Sequence, residues 1–295
     1  MTVTRRTLVV ALALTPGIGG RTVTRVMTRN DLLGRSFDEF LALSAEALKE
    51  EYRFSETAAE NWYGQTAQRI EDAETLLKKL DAYDIHIISA ADANYPRRIE
   101  AMDPDPPGVL FLYGNSKLID ADTFCVLSSR KTSEEGLRTI DSLTEEMVLA
   151  GKVLVSGHDT PEYQRSAIVP LRWGAPRILV LDQGFFEVFG ENLDEEPFRA
   201  ARLWRYKFDP KTDLAVTWVN PEKSYHPNAN KLRDRLVASL SHSIQIATAN
   251  KGGNMEHLAK QGLKAGRSVW VTELAESYRE LCNLGAKPLT PAQPR

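Results

Sequence analysis

Cysteine is nearly missing: 295 residues carry two, Cys125 and Cys282. Two cysteines build no disulfide framework, and five histidines scattered without ligand spacing add no metal cluster. No metal site and no cofactor is therefore expected. Cys125 sits in the apolar run FCVL and reads as a buried structural thiol, so a reducing cytoplasm suits the chain. Long hydrophobic runs are missing too. The run in the opening MTVTRRTLVVALALTPGIGG is far shorter than the roughly 20 residues a membrane helix needs. It ends in Pro-Gly-Ile-Gly-Gly rather than at a small-residue cleavage site, so neither a leader nor a membrane span is expected. A large charge excess is absent as well. The formal net charge of −3 argues against coating nucleic acid over the whole surface, but not against a local basic site. No internal repeat and no low-complexity tract is evident.

What is present is unevenly placed. Arg5, Arg6, Arg21, Arg25, Arg29 and Arg35 against the single acid Asp31 make residues 1–36 strongly positive, leaving the rest acidic. Residues 1–82 read as a small all-helical domain. Two helices flank a glycine-rich hairpin at TPGIGG, and Ser55 is expected to cap one long helix running to about Asp81. From residue 83 the pattern changes. HIIS, VLFLY and FCVL are short β-type runs, and the prolines Pro96, Pro104, Pro106 and Pro107 bar a long helix between the first two. Beyond FCVL, strands alternate with helices expected at about 133–150, 161–173, 228–240 and 255–265. SVWVT is the last clear strand, and 185–212 reads as an elaborated loop. Such alternation predicts an α/β fold whose mostly parallel sheet carries helices on both faces. The expected division is 1–82, 83–275 and a tail 276–295.

In an open parallel sheet, all strand carboxyl ends lie along one edge, where ligands bind. Topology alone thus gathers the loops SSRKTS, SGHDTP, DQG, VNPEKS and NKGGN. In the first, Thr132 followed by Glu135 fits a capping box. Ser128, Ser129 and Ser133 add hydroxyls, Arg130 and Lys131 add charge, and a helix amino end favours phosphate. The turn therefore reads either as a phosphate site or as a well-capped helix with two solvated cations. In NKGGN, Gly252 and Gly253 let backbone approach a ligand and Lys251 supplies charge, although the spacing is not that of a Walker loop. Arg233 and Arg235, in LRDRL, lie about 200° apart on a helix, so both cannot face one ligand.

Read together, these segments resemble the DNA-processing protein A (DprA/Smf) family of bacteria over about residues 7–289. LALTPGIGGRTVTRVM is similar to the family's helix-hairpin-helix, with Gly17, Gly19 and Arg21 at its turn. NYPRRIEAMDPDPPGVLFLYGN resembles its Tyr-Pro…Pro-Pro…Leu-Tyr-x-Gly stretch. SSRKTSEEGLR resembles Gly-Ser-Arg-x-x-Ser…Gly, with Ser128 in place of glycine. Ser156-Gly157, Arg233-Asp234-Arg235 and Lys251-Gly252-Gly253 resemble the next three signatures. GRSVWV and LCNLGAKPL resemble the family's closing strand and the segment after it. The resemblance implies a Rossmann-like domain that binds single-stranded DNA without sequence preference. On it the DNA-contacting set is Ser128, Ser129, Arg130, Lys131, Thr132, Ser133, Ser156, Gly157, Arg233, Arg235, Lys251, Gly252 and Gly253. It also implies a homodimer, delivery of DNA to a RecA-type recombinase during DNA uptake, and no catalysis. The chain departs from the family at His158-Asp159-Thr160-Pro161, at Gly253-Asn254-Met255-Glu256 and at the acid Asp234. No winged-helix segment is read before Arg295.

Three other readings compete. Gly252, Gly253 and Glu256 suit a Rossmann-type nucleotide-sensing or nucleotide-hydrolysing protein. Ser156, His158 and Asp159 offer hydrolase side chains, but three triad residues in one loop rarely reach each other. The aromatic stretch around Phe185, Phe186 and Phe189 suits an interaction protein if those rings are exposed. The helix-hairpin-helix is read equally as a DNA contact or as a packing module.

Overall fold

A computed structural model describes residues 3–224 and 229–290. The chain forms two compact units. The first comprises Met1–Tyr95, Asp105–Leu112 and Trp218–Asn220; the second comprises Pro96–Pro104, Tyr113–Thr217 and Pro221–Arg295.

The first unit opens with six helices: α1 (Arg5–Ala13), α2 (Gly20–Leu33), α3 (Phe37–Leu41), α4 (Ala45–Tyr52), α5 (Glu56–Tyr63) and α6 (Thr66–Ala82). Serine and threonine caps set four of the six starts. Thr4, Ser36, Ser44 and Ser55 each accept a backbone N–H from the first turn, and Ser36 with Glu39 closes a capping box. Gly34 ends α2 in the left-handed region at φ 63°. Phe40 meets Tyr52 edge-on at 5.1 Å and Trp62 at 6.2 Å, all three buried. Ser55 caps a helix as expected, but that helix stops at Tyr63. Gly64 and Gln65 break the chain before α6, and the Thr66 hydroxyl donates to the Trp62 carbonyl at 2.7 Å. The helical periodicity runs through both pieces, which is why they read as one.

β1 (Ile85–Ser89) follows α6, then α7 (Arg97–Met102) and β2 (Val109–Gly114). The second unit carries β3 (Thr123–Ser128), α8 (Glu134–Leu149), β4 (Val153–Ser156), α9 (Pro161–Arg172), β5 (Arg177–Val180), α10 (Phe185–Phe189), β6 (Leu214–Thr217), α11 (Ala229–Leu240), β7 (Ser243–Thr248), α12 (Asn254–Lys264), β8 (Ser268–Val271), α13 (Tyr278–Asn283) and β9 (Lys287–Pro288). Its strands run β6-β5-β4-β3-β7-β8-β9, and every neighbouring pair is parallel. Every residue of β3, β4, β5 and β6 is buried, as a sheet covered on both faces requires. α8 packs on α9 along one face and α11 on α12 along the other. This is the α/β fold with a mostly parallel sheet read from the strand–helix alternation, in the Rossmann-like form that the resemblance implies. SVWVT is not the last strand, because Trp270 and Val271 pair with Lys287 and Pro288 of the two-residue β9. The N-cap of α8 is Ser133, whose Oγ accepts from the Gly136 N–H, so the cap falls one residue later than Thr132.

Within 185–212, α10 and a 3₁₀ turn at Arg199–Leu203 give the loop internal structure. Phe185 and Phe189 are buried and pack with Tyr113 and Phe208, the Phe189–Phe208 centroids lying 4.4 Å apart. They are core, not an exposed docking cluster.

Candidate functional site

The strand order reverses at β3. The chain steps from β3 through β4 and β5 to β6 on one side, then crosses back to β7 on the other. The loops leaving β3 and β7 therefore diverge to opposite faces and open a crevice between their carboxyl ends. Side chains lock the two loops together there. Ser128 Oγ lies 2.7 Å from Thr248 Oγ1, the Ser129 N–H donates to the Thr248 carbonyl at 3.1 Å, and the Asn250 N–H donates to Ser129 Oγ at 2.9 Å. Ser128, Ser129 and Thr132 thus join the loop of Lys251. Lys131 takes φ 59°, an uncommon conformation for a side chain of its size, and it sits with Arg130 at the exposed rim. Arg130 lies 3.9 Å from Asp159.

Beneath the rim, the polar groups point inward. Ser156 is buried, and its Oγ is shared among the Gly157 and Tyr163 carbonyls and Ser166 Oγ. A Cβ on Gly157 would stand 2.7 Å from the Tyr163 ring and 2.8 Å from Arg233, so only glycine fits. Arg233 is 1% exposed. Its guanidinium meets Asp182 at 3.1 Å, Asp234 at 2.9 Å and Asp159, and it lies over the Tyr163 ring at 4.9 Å. The Tyr163 hydroxyl and Asn254 Nδ2 each donate to Asp234 at 2.9 Å. Burial opposes the charge on Arg233, but Tyr163, Asp234 and Asp159 outweigh it and hold the guanidinium above its ordinary pKa. Burial pushes Asp234 up, with Arg233 opposing. Arg235, on the other side of α11 as its angular offset predicts, forks onto Asp103 at 2.8–3.0 Å. The crevice therefore contains one member of that pair.

Carboxylates accept from the backbone amides of both turns, SSRKTS and NKGGN. The Thr132 N–H donates to Glu162 at 3.3 Å, the Lys251 N–H to Glu276 at 2.8 Å and the Gly252 N–H to Glu256 at 2.9 Å. Glu256 is held below the ordinary carboxylate range first by Lys260 and then by the Gly252 amide. Gly252 has φ 72° and open space where a Cβ would stand. Gly253 caps α12 and Ser133 caps α8. Glu162, Asp182 and Glu276 are acids that the sequence alone does not assign to the site, and Asp159 enters there only as a departure from the family and a candidate hydrolase side chain. Only Glu162, an acid in the first turn after Thr160-Pro161, left a local trace.

His158 reports on this network. Its imidazole is nearly buried, with Nε2 3.8 Å from Asp182, and burial lowers its pKa despite Asp182 and Asp159. A histidine lowered in the fold contributes stability above its ordinary value of about 6.5, and that stability is lost as pH falls below it. Unfolding free energy is thus expected to drop from pH 7 to 5, and His158→Gln to flatten the slope in urea titrations. An unchanged slope would remove His158 as its source.

In the first unit, the turn between α1 and α2 is packed. Gly17 takes φ 88°, the Gly20 N–H donates to the Pro106 carbonyl at 3.0 Å, and a Cβ on Gly19 would clash with the Asp105 carboxylate. Arg21 is exposed beside it. Among the described residues, no helix is long and apolar enough to cross a membrane, and no three His, Cys, Asp or Glu side chains are grouped to hold a metal ion.

The profile of the DNA recombination-mediator protein A family matches residues 86–292, which span this crevice and most of its sheet. The chain belongs to that family. Two solved structures share the fold. DNA processing protein A from Streptococcus pneumoniae has a TM-score of 0.73 at 18% identity, over 99% of this chain and 96% of that one. DNA processing protein A from Helicobacter pylori, a structure concerned with its single-stranded DNA binding mode, has a TM-score of 0.54 at 17% identity, over 70% and 91%. No curated protein matches the sequence. At these identities the likeness establishes the shared architecture.

Proposed function

We propose that this chain is a recombination mediator that binds single-stranded DNA, without reading its sequence, along the carboxyl edge of the second unit's sheet. The observation that carries the reading is the rim of the crevice, where Arg130, Lys131 and Lys251 stand exposed on two cross-bonded loops. Fixed cations of this kind track phosphates and ignore bases. The Helicobacter pylori relative's single-stranded DNA binding supports the same ligand. Gly157, Gly252 and Gly253 keep the floor low, and Ser128, Ser129, Thr132, Ser133 and Ser156 set the loops. Arg233 organises the floor from beneath. Homodimerisation, a RecA-type recombinase partner and a cytoplasmic setting belong to this proposal. It contains no catalytic step. The mononucleotide alternative is weakened because Glu256 is tied to the Gly252 amide and to Lys260, at 2.9 and 2.5 Å, and so is not offered to a ligand.

Arg130→Ala is expected to weaken oligothymidylate and mixed-sequence single strands equally. It should lower the slope of log affinity against log salt by about 0.7, one phosphate contact on a single strand. Fluorescence anisotropy across a salt series reads both quantities. An unchanged slope would take this turn out of the DNA path.

A further inference from the structure

A second surface on the same unit has the chemistry of a stacking platform. The stretch PFRAARLWRYK, residues 197–207, contains four cations and no acid. It exposes Leu203 at 82%, Tyr206 at 71% and Trp204 at 45%, and Trp173, just past α9, at 52%. Arginines lie against these rings: Arg172 over Trp204 at 5.4 Å and Arg202 over Tyr206 at 5.6 Å. Arg199 is exposed and makes no ion pair among the described residues. The platform is held from below. Glu195 and Lys207 bridge its ends, Phe198 and Ala201 are buried, and Arg205 pairs with Asp213. Acids hold part of this charge: Asp194 pairs with Lys207, Asp213 with Arg205, Asp141 with Arg165 and, at 3.7 Å, with Arg172, while Glu145 accepts from the Trp173 indole at 3.0 Å.

Exposed aromatic faces interleaved with arginines, on a braced loop of one charge sign, match a ligand that alternates π faces with anions. We propose that this platform is a second contact for single-stranded nucleic acid, with bases stacking on Trp204 and Tyr206 and backbone phosphates meeting Arg199, Arg202 and Arg172. The inference rests on the single-stranded DNA reading above and extends the bound strand beyond the crevice. Along α9, Arg165 and Arg172 lie seven residues apart and mark the path between the two contacts.

The test measures a long oligothymidylate by anisotropy and by quenching of tryptophan emission, on the full chain. Trp204→Ala with Tyr206→Ala is expected to weaken binding at least tenfold, the loss of one or two stacked bases. Trp204→Phe should restore part of it, because a ring suffices; Trp204→Lys should not. Equal affinity of the double variant and the parent, while Arg130→Ala still weakens binding, would overturn the platform alone. No binding by the parent at low salt would overturn the single-stranded DNA reading first and this inference with it. The substituted side chains are exposed, so folding should be preserved, and far-UV circular dichroism checks this.

Discussion

Arg233→Ala is expected to lower the unfolding free energy by about 3–5 kcal/mol. The guanidinium lies among Asp159, Asp182 and Asp234, with 1% of its surface exposed. Removing it leaves carboxylates buried without a counter-charge, and that penalty exceeds the worth of any one pair. It also takes the cation from the face of Tyr163 and opens space beside Gly157. Asp159, a quarter exposed, can rehydrate, whereas Asp182 and Asp234 cannot readily do so. The pH dependence has a definite sign. Burial already raises Asp234, and losing Arg233 raises it further. A carboxyl raised in the fold contributes stability that is lost as pH rises through its folded pKa. The cost of Arg233→Ala should therefore be largest near neutrality and shrink towards pH 4. Urea denaturation of parent and variant at both pH values measures this, and a cost that is small or independent of pH would show the carboxylates to be solvated.

The contrast between Arg233 and its neighbours shows how much of this molecule the sequence discloses. Local rules carry the fold well. Ser55 caps the helix it precedes, and the strand–helix alternation after FCVL produces a parallel sheet. That sheet's loops then gather at one edge by topology. The parity of Arg233 and Arg235 was legible from the helical angle. Apart from the adjacent Asp234, their partners were not, because Asp182 leaves the end of β5 and Asp103 follows α7, far away in sequence. The same holds for Glu276, which reaches the Lys251 amide from beyond β8. A cation in a linear sequence looks available until the fold supplies the acids around it. The break at Gly64 was missed for a different reason, since helical spacing continues across it. β9 is two residues long and carries no periodic signal at all.

The second buried charge cluster gives the other large effect and separates two explanations of why it exists. Arg177, on β5, donates to Asp213 at 2.9 Å, to Glu196 at 2.6 Å and to the Ala167 carbonyl at 2.9 Å, with all three charged side chains fully buried. Arg177→Ala should cost about 3–5 kcal/mol, by the rule that a broken buried pair leaves an uncompensated charge. Asp213 keeps Arg205, so the burden falls on Glu196, whose pKa burial already raises against the pull of Arg177. Glu196 Oε1 also lacks a hydrogen-bond partner in the intact fold. The pair is thus imperfectly satisfied, and apolar side chains of similar volume should replace it at little cost. Arg177→Met with Glu196→Leu is expected to recover most of the loss, to within about 1 kcal/mol of the parent. If the double variant folds as stably as the parent but binds oligothymidylate less tightly, the cluster serves to fix the 197–207 platform rather than to stabilise the sheet. If stability and binding are both restored, shape alone holds the platform in place. If stability is not restored, Arg177 contributes through the Ala167 carbonyl and the β5 backbone, and the charge pair is secondary.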